Sequence, residues 1–430
     1  MYKLFLSISL LCSIGMAQDT LSLDQAIRNA LENNYGVQAA QMDAIVAQNN
    51  ATPGNAGLLP RIALDGRAAY NWNNSNVTLG SGEKRSVSGL STDNQRAGIT
   101  VNYPLAGIIA GVANLQRLRT LSKQSEIQAR ANVEQNISQL IAAYYNLARQ
   151  QKALGIAQEA MAVSRNRLKR VQTQREFGGS SRLAVLNAEV NLNADSVSLL
   201  NNQIGIENAQ RNLLALMGEE VDETVAVNLQ VEFSGEEVME LALDKTENNT
   251  NLRLADYNNR ISDYNLMIAR TARLPSLNLS VGYSINRSFN GPISFVINSN
   301  GNGFSANADL AWDIFNGGQV KTQIQNAEVN IESAKLRYEE ARLNLNRDLN
   351  NAVANYKSGL EVLNLQEKSL LAARLNFTQT QERFKLGQAT GTQFREAQLN
   401  LLQVQNQLNN LRYDTKVVEM EIVRLIGELY

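Results

Sequence analysis

Two kinds of apolar pattern take turns along this chain. The first is a heptad. Val133, Leu140, Leu147, Leu154, Met161 and Leu168 fall seven residues apart, and Leu349, Tyr356, Leu363, Leu370, Phe377 and Phe384 draw the same line again. A heptad sustained this long predicts a long helix packed as a coiled coil. No proline interrupts Gly107 to Phe177 or Gly317 to Leu386. A helix of about 70 residues would reach roughly 105 Å at its usual rise. After each long helix the line resumes, as Val185, Leu192, Leu199, Ile206, Leu213 and as Phe394, Leu401, Leu408 and Ile422. Val190, Val197 and Ile204 form a second apolar line on nearly the opposite side. A helix apolar on two sides needs neighbours on both, as in a closed ring of helices.

The second pattern has period two and predicts four strands. Residues 61–72 place Ile62, Leu64, Ala68, Tyr70 and Trp72 on one face, and 95–105 place Ala97, Ile99, Val101 and Tyr103. Residues 276–285 alternate Leu277, Leu279, Val281, Tyr283 and Ile285 with polar neighbours. Residues 303–315 do so with Phe304, Ala306, Ala308, Leu310, Trp312 and Ile314. Alternation over about ten residues suits a strand with one face in lipid and one in water. Tyr70, Trp72, Tyr103, Tyr283 and Trp312 are the candidate aromatic girdle. Asn73 to Asn94 and Asn286 to Asn302 are long polar stretches, predicted as loops.

The patterns occur twice. VQTQREFGGSSRLAVLNAEVN, from Val171, reappears as QTQERFKLGQATGTQFREAQLN, from Gln379. Phe177 stands opposite Leu386, Gly178 opposite Gly387, and Ser181 opposite Thr390, at a constant offset of 209 residues. Earlier in each half, Glu32-Asn33-Asn34 stands opposite Glu247-Asn248-Asn249 and Leu59-Pro60 opposite Leu274-Pro275, at an offset of 215. A shorter second strand loop accounts for the change. The first repeat is 18–218, an acidic connector is 219–237, and the second repeat is 238–430. Each repeat reads helix, strand pair (61–72 and 95–105; 276–285 and 303–315), long helix (107–177; 317–386), tip (178–181; 387–390) and helix (182–217; 391–427). The opening helix begins at Leu21 and is expected to run to about Gly54. At each tip, glycine breaks one helix and Ser180 or Ser181, or Thr390, can cap the next.

Composition narrows the function. The chain has 430 residues, a net charge of −1, no histidine and one cysteine. A near-neutral balance makes no case for nucleic acid. Without histidine the commonest general base and metal ligand are missing, and the acids scatter over solvated helix faces. No catalytic, cofactor or metal residue is therefore expected. Residues 1–17 read as a signal peptide, with Lys3, an apolar run to Ile14, and Gly15 and Ala17 before the cut. Cys12 would leave with it; the alternative, lipidation at Cys12, would need a small residue before the cysteine, where Leu11 stands. No other stretch approaches the ~20 apolar residues of a membrane helix, so a mature chain that spans a membrane must use strands. A secreted coiled-coil structural protein or adhesin would explain the heptads but not four alternating strands in two equivalent places.

The ordered set of motifs resembles the TolC-like outer-membrane efflux protein family. It comprises the doubled layout, Leu-Pro before each strand pair, Tyr103-Pro104-Leu105 and Asp313-Ile314-Phe315-Asn316-Gly317-Gly318 after them, and the G-x-x-S/T tips. The resemblance implies a mainly α protein with a transmembrane β-barrel. Four strands per chain would complete a trimeric twelve-stranded barrel, continued by a periplasmic α-barrel. It implies a homotrimer in outer-membrane lipid, a periplasmic adaptor, an inner-membrane transporter, and export of small molecules or, in type I secretion, of protein. The implied docking residues are Phe177, Gly178, Ser181, Arg182, Leu386, Gly387 and Thr390. The implied gate is Ala184, Phe384, Gln393, Phe394, Arg395 and Glu396. Ala184 and Gln393 stand where relatives carry acids, Phe384 where they carry tyrosine, and Ala389 where they carry arginine. Closure is therefore expected to rely on Phe384 and Phe394, with ionic links secondary.

Overall fold

A computed structural model describes residues 20–78, 80–105, 107–220, 225–244, 247–290 and 296–430. The proposed signal peptide, Cys12 and part of the connector lie outside them. The chain divides into two compact units. One is built from Met1–Gln41, Ala129–Thr250 and Arg342–Tyr430; the other from Met42–Gln128 and Asn251–Ala341.

In the second unit four strands form one antiparallel sheet in the order β1-β2-β3-β4: β1 Arg61–Thr78, β2 Lys84–Pro104, β3 Ser276–Asn290 and β4 Asn298–Ala311. The strands outrun the expected bounds. Most of the stretch expected as a loop between Asn73 and Asn94 is itself paired strand, with Thr78 opposite Lys84. Likewise Phe289 pairs with Asn298. The sequence alternation stops near Trp72 because the ribbon beyond it is mostly polar, with only scattered apolar residues such as Val77, Val87 and Leu90, so period two disappears while the backbone ladder continues. At the other end β4 stops at Ala311. Trp312 lies just past it, where its Nε1 donates to the Arg273 carbonyl at 3.2 Å.

The register keeps the faces apart. Leu64, Ile99, Tyr283 and Phe304 stand in one row across the sheet. Asp65, Gly98, Ser284 and Gly303 form the adjacent row on the opposite face. The apolar face is uncovered: Leu64 is 85% exposed and Leu310 71%.

The first unit holds the helical core. The opening segment is two helices, α1 Leu23–Asn33 and α2 Tyr35–Asn50, where a single one was expected. Leu21 instead makes a parallel bridge to Val227, and Ser22 with Gln25 forms a capping box on α1. The break is the work of Asn34. Its Oδ1 accepts from the N–H groups of Gly36 and Val37 at 2.8 and 3.1 Å. Its Nδ2 donates to the Leu216 carbonyl at 2.8 Å. One amide thus caps α2 and satisfies a carbonyl at the end of another helix.

The remaining helices are α3 Gly107–Glu176, α4 Arg182–Met217, α5 Glu236–Asp244, α6 Thr250–Thr271, α7 Gln319–Lys385 and α8 Gly391–Leu425. In the second repeat Asn249 does what Asn34 does in the first, donating to the Leu425 carbonyl at 3.0 Å. After α4 and α8 the chain turns through Gly218 and Gly427, both at φ +75°. A Cβ on Gly218 would stand 2.5 Å from the Asn33 carbonyl oxygen, and one on Gly427 2.5 Å from that of Asn248. The Glu-Asn-Asn motif and the glycine that follows α4 or α8 are therefore joined in space, once per repeat.

The core carries the heptad. Leu140, Leu147, Tyr356, Leu213 and Ile422 are buried, whereas Val190, Val197 and Ile204 are exposed. The described part of the connector is packed against the helices. Val225 accepts from Gln151 and Gln210, Tyr413 donates to the Leu229 carbonyl, and the Tyr356 hydroxyl accepts from the Gly235 N–H and donates to the buried Glu419 at 2.7 Å. Burial and that carboxylate hold the Tyr356 phenol well above its ordinary pKa.

Gly218→Ala is expected to destabilise the protein by more than the ~1–2 kcal/mol of a left-handed residue alone, because its Cβ also meets the Asn33 backbone. Gly57 shares the conformation, at φ +82°, with nothing within 4 Å, so Gly57→Ala supplies the backbone cost by itself. Thermal unfolding midpoints of the two variants decide the matter: equal losses would mean that the close approach carries no weight.

Candidate functional site

Both tips are built alike. At the first, Gly178 sits at φ +76°, and Gly179 donates to the Gln174 carbonyl at 2.7 Å. Ser181 then caps α4, accepting from the Ala184 N–H at 3.2 Å. At the second, Gly387 sits at φ +76°, and Gln388 donates to the Arg383 carbonyl at 2.8 Å. Thr390 caps α8 and accepts from the Gln393 N–H at 3.2 Å, while the Gln393 side chain accepts from the Thr390 N–H at 2.9 Å. Gln393 therefore closes a capping box, a part that Ala184 cannot play at the matching position. The apexes expose large apolar side chains: Phe177 is 84% exposed and Leu386 72%. Arg182, first residue of α4, is exposed beside them.

Behind the tips lies a packed cluster. Phe394 is buried, with Phe384 at 5.0 Å and Phe377 at 5.6 Å between ring centroids. The Arg167 guanidinium stacks 5.4 Å from the Phe394 ring and 6.0 Å from that of Phe384. Burial, then the neighbouring Arg395 charge, lowers the Arg167 pKa from its ordinary value.

Arg395 does not pair with its sequence neighbour Glu396. It forks onto Asp195 of α4, with N···O distances of 2.8 and 2.9 Å. Ser164 of α3 donates to the same carboxylate at 2.5 Å, and Gln398 accepts from Arg395 at 3.0 Å. A bidentate guanidinium–carboxylate pair fixes orientation as well as distance, so three helices are pinned at one level. Glu396 is exposed and shares an open groove of about 240 Å³ with Arg383 and Gln393.

Of the expected gate residues, Phe384, Phe394 and Arg395 are thus brought together. Ala184, Gln393 and Glu396 stand at the helix starts. Asp195, Ser164, Arg167 and Gln398 were not singled out from sequence. The signal was there for two of them: Asp195 follows Val185, Ala188 and Leu192 on the apolar seam, and Ser164 lies between Ala157 and Val171 on that of α3. A polar residue on a heptad seam needs a partner.

Of the girdle residues, Tyr70 and Trp72 lie within β1, since that strand runs on to Thr78, and Tyr103 ends β2. Tyr283 stands in the middle of β3 opposite Ile99 and Phe304, away from either strand end. Among the described residues no cluster of three or more His, Cys, Asp or Glu side chains could hold a metal ion. No helix among them is long and apolar enough to cross a membrane.

The family model described as "Outer membrane efflux protein" matches residues 26–219 and 243–428. The chain belongs to the outer membrane efflux protein family. The match spans both repeats, including both tips. The chain is similar to outer membrane protein TolC of Vibrio cholerae, with 24% identity over 91% of this chain and 86% of that protein. It is also similar to a probable efflux pump outer membrane protein, TtgC, of Pseudomonas putida, with 22% identity over 94% and 83%. Two solved structures share the fold. The outer membrane protein VceC of Vibrio cholerae gives a TM-score of 0.78 at 16% identity, covering 94% of this chain and 96% of that one. The Campylobacter jejuni CmeC outer membrane channel gives 0.79 at 17% identity, covering 95% and 86%. The fold class expected from sequence, mainly helical with a four-stranded contribution to a barrel, is the fold of these channels.

Asp195→Ala would strand the Arg395 guanidinium in a mostly buried place. Losing one partner of such a pair costs roughly 3–5 kcal/mol. Backbone amides of the first turns of α4 and α8 should exchange hydrogen markedly faster in this variant, and unchanged protection there would show that the pair does not hold the tips.

Proposed function

We propose that this protein is the outer-membrane exit duct of a tripartite export system. The observation that carries the reading is the open sheet: four strands, an uncovered apolar face and two edges, β1 and β4, unpartnered among the described residues. Such a sheet is stable in hydrocarbon only when closed into a barrel. Two copies would supply eight strands and a filled interior, whereas three supply twelve and leave a passage. The homotrimer accords with the family and with the second apolar line on α4, which is exposed among the described residues. The relatives' names, efflux pump outer membrane protein among them, support small toxic molecules as the cargo, with secreted protein as the alternative within the same duct.

The tips are the docking surface for a periplasmic adaptor, which in turn receives substrate from an inner-membrane transporter. Their exposed Phe177 and Leu386, at equivalent positions, support this role. Closure of the duct rests on packing of Phe384 against Phe394, with the Asp195–Arg395 pair holding the helices that present them. A secreted coiled-coil adhesin leaves the membrane-type sheet without a purpose, and no catalytic step enters the proposal.

Leu310→Arg places a charge on the lipid face, at a cost of roughly 2–4 kcal/mol near the midplane repeated in each copy, and is expected to block membrane insertion. Asn307→Arg, on the other face, should insert. Equal behaviour in an insertion assay would overturn the face assignment.

For the gate, an aromatic contact is worth about 1 kcal/mol, so Phe384→Ala should raise the open population roughly five-fold in planar-bilayer recordings. Glu396→Gln should change it little. Opening by Glu396→Gln alone would restore a carboxylate latch in place of packing.

A further inference from the structure

On the polar face of the sheet, Arg67 of β1 stands directly opposite Arg96 of β2. The same row continues through Asn286 of β3 to Gly301 of β4. The two-residue alternation places Arg67 with Ala63, Asp65 and Ala69, away from Leu64 and Tyr70, and places Arg96 with Gly98 and Thr100, away from Ile99. Like charges directly opposite on one face of an antiparallel pair repel, and this pair is not relieved. Neither arginine has an ion-pair partner among the described residues. The nearest carboxylate on that face, Asp65, accepts from the Thr100 hydroxyl at 3.3 Å instead. Both side chains are exposed. They line an open cavity of about 590 Å³ together with Asn94 and Asn286. The row beside them is Gly98, Ser284 and Gly303, small residues that cannot cover a guanidinium.

Two cations facing each other at a cost to the sheet, beside small neighbours and a third cation, Arg287, that lines the same cavity, are arranged to meet something negative in the water of the duct. The geometry points to Arg67 and Arg96 forming, with their copies in the assembled barrel, a belt of positive charge that makes the outer part of the passage favour anionic solutes. This rests on the proposed duct. Three copies would bring six arginines to one level. Rings of arginine or lysine are the usual means by which a pore selects anions, and low-dielectric walls focus their field across the opening. Arg61, Asp65 and Asp309 share the polar face, but they lie on other rows and leave the excess positive.

The test is the reversal potential of purified protein in planar bilayers under a potassium chloride gradient, for the wild type, Arg67→Gln/Arg96→Gln and Arg67→Lys/Arg96→Lys. The glutamine pair should shift the chloride-to-potassium permeability ratio toward potassium by several-fold, more at low salt, where screening is weaker. The lysine pair should retain the wild-type value, which separates charge from any disturbance of the strands. A glutamine pair that reverses at the wild-type potential overturns the belt while leaving the duct intact. A lysine pair that shifts as far as the glutamine pair overturns it too. Protein that inserts as a trimer yet conducts no ions even with Phe384→Ala loosening the gate overturns the duct itself, and the belt with it.

Discussion

Every unpaired backbone N–H and C=O in hydrocarbon costs several kcal/mol, and β1 and β4 each have an edge with no partner among the described residues. That constraint shapes the rest of the molecule. A sheet that needs more strands than one copy supplies must have matching edges, and duplication of a strand pair within one chain provides an even number of antiparallel strands with like ends. The lipid-facing row of Leu64, Ile99, Tyr283 and Phe304 has meaning only if the polar row behind it faces water, and a closed barrel is the arrangement that gives both.

Duplication also governs the helices. Asn34 and Asn249 stand at equivalent positions, and each donates to a carbonyl at the end of α4 or α8. Gly218 and Gly427 pass so close to Asn33 and Asn248 that no side chain fits. The halves differ where α4 and α8 begin. Gln393 completes a capping box that Ala184 lacks, and Phe394 with Arg395 stands where the first repeat has Val185 and Leu186. The second repeat thus supplies Phe394 and Arg395 to the cluster behind the tips, and the first repeat answers with Arg167, Ser164 and Asp195.

The large features were legible because they are periodic. Heptads revealed α3 and α7, period two revealed the lipid-facing part of each strand, and the glycine-to-hydroxyl spacing located both tips, with Thr390 as one cap and Ser180 or Ser181 as the other, between which the fold selects Ser181. What escaped was aperiodic or distant. The outer parts of β1 and β2 are mostly polar, so Asn73 to Asn94 resembled a loop. Asn34 lies within an apolar 3.6-residue pattern, and its cap on Gly36 and Val37 together with its tertiary bond to the Leu216 carbonyl explains why the helix stops there. Asp195 and Arg395 are 200 residues apart, and no local pattern pairs them, although a carboxylate on a coiled-coil seam was a sign that a partner existed.

The central claim is that copies of this chain close one another's sheet edges. Native mass spectrometry of the intact protein, extracted from the outer membrane in mild detergent, tests it most directly. The account predicts a single assembly of three chains, hence twelve strands, that persists on dilution. A predominant monomer, or a dimer, would contradict it.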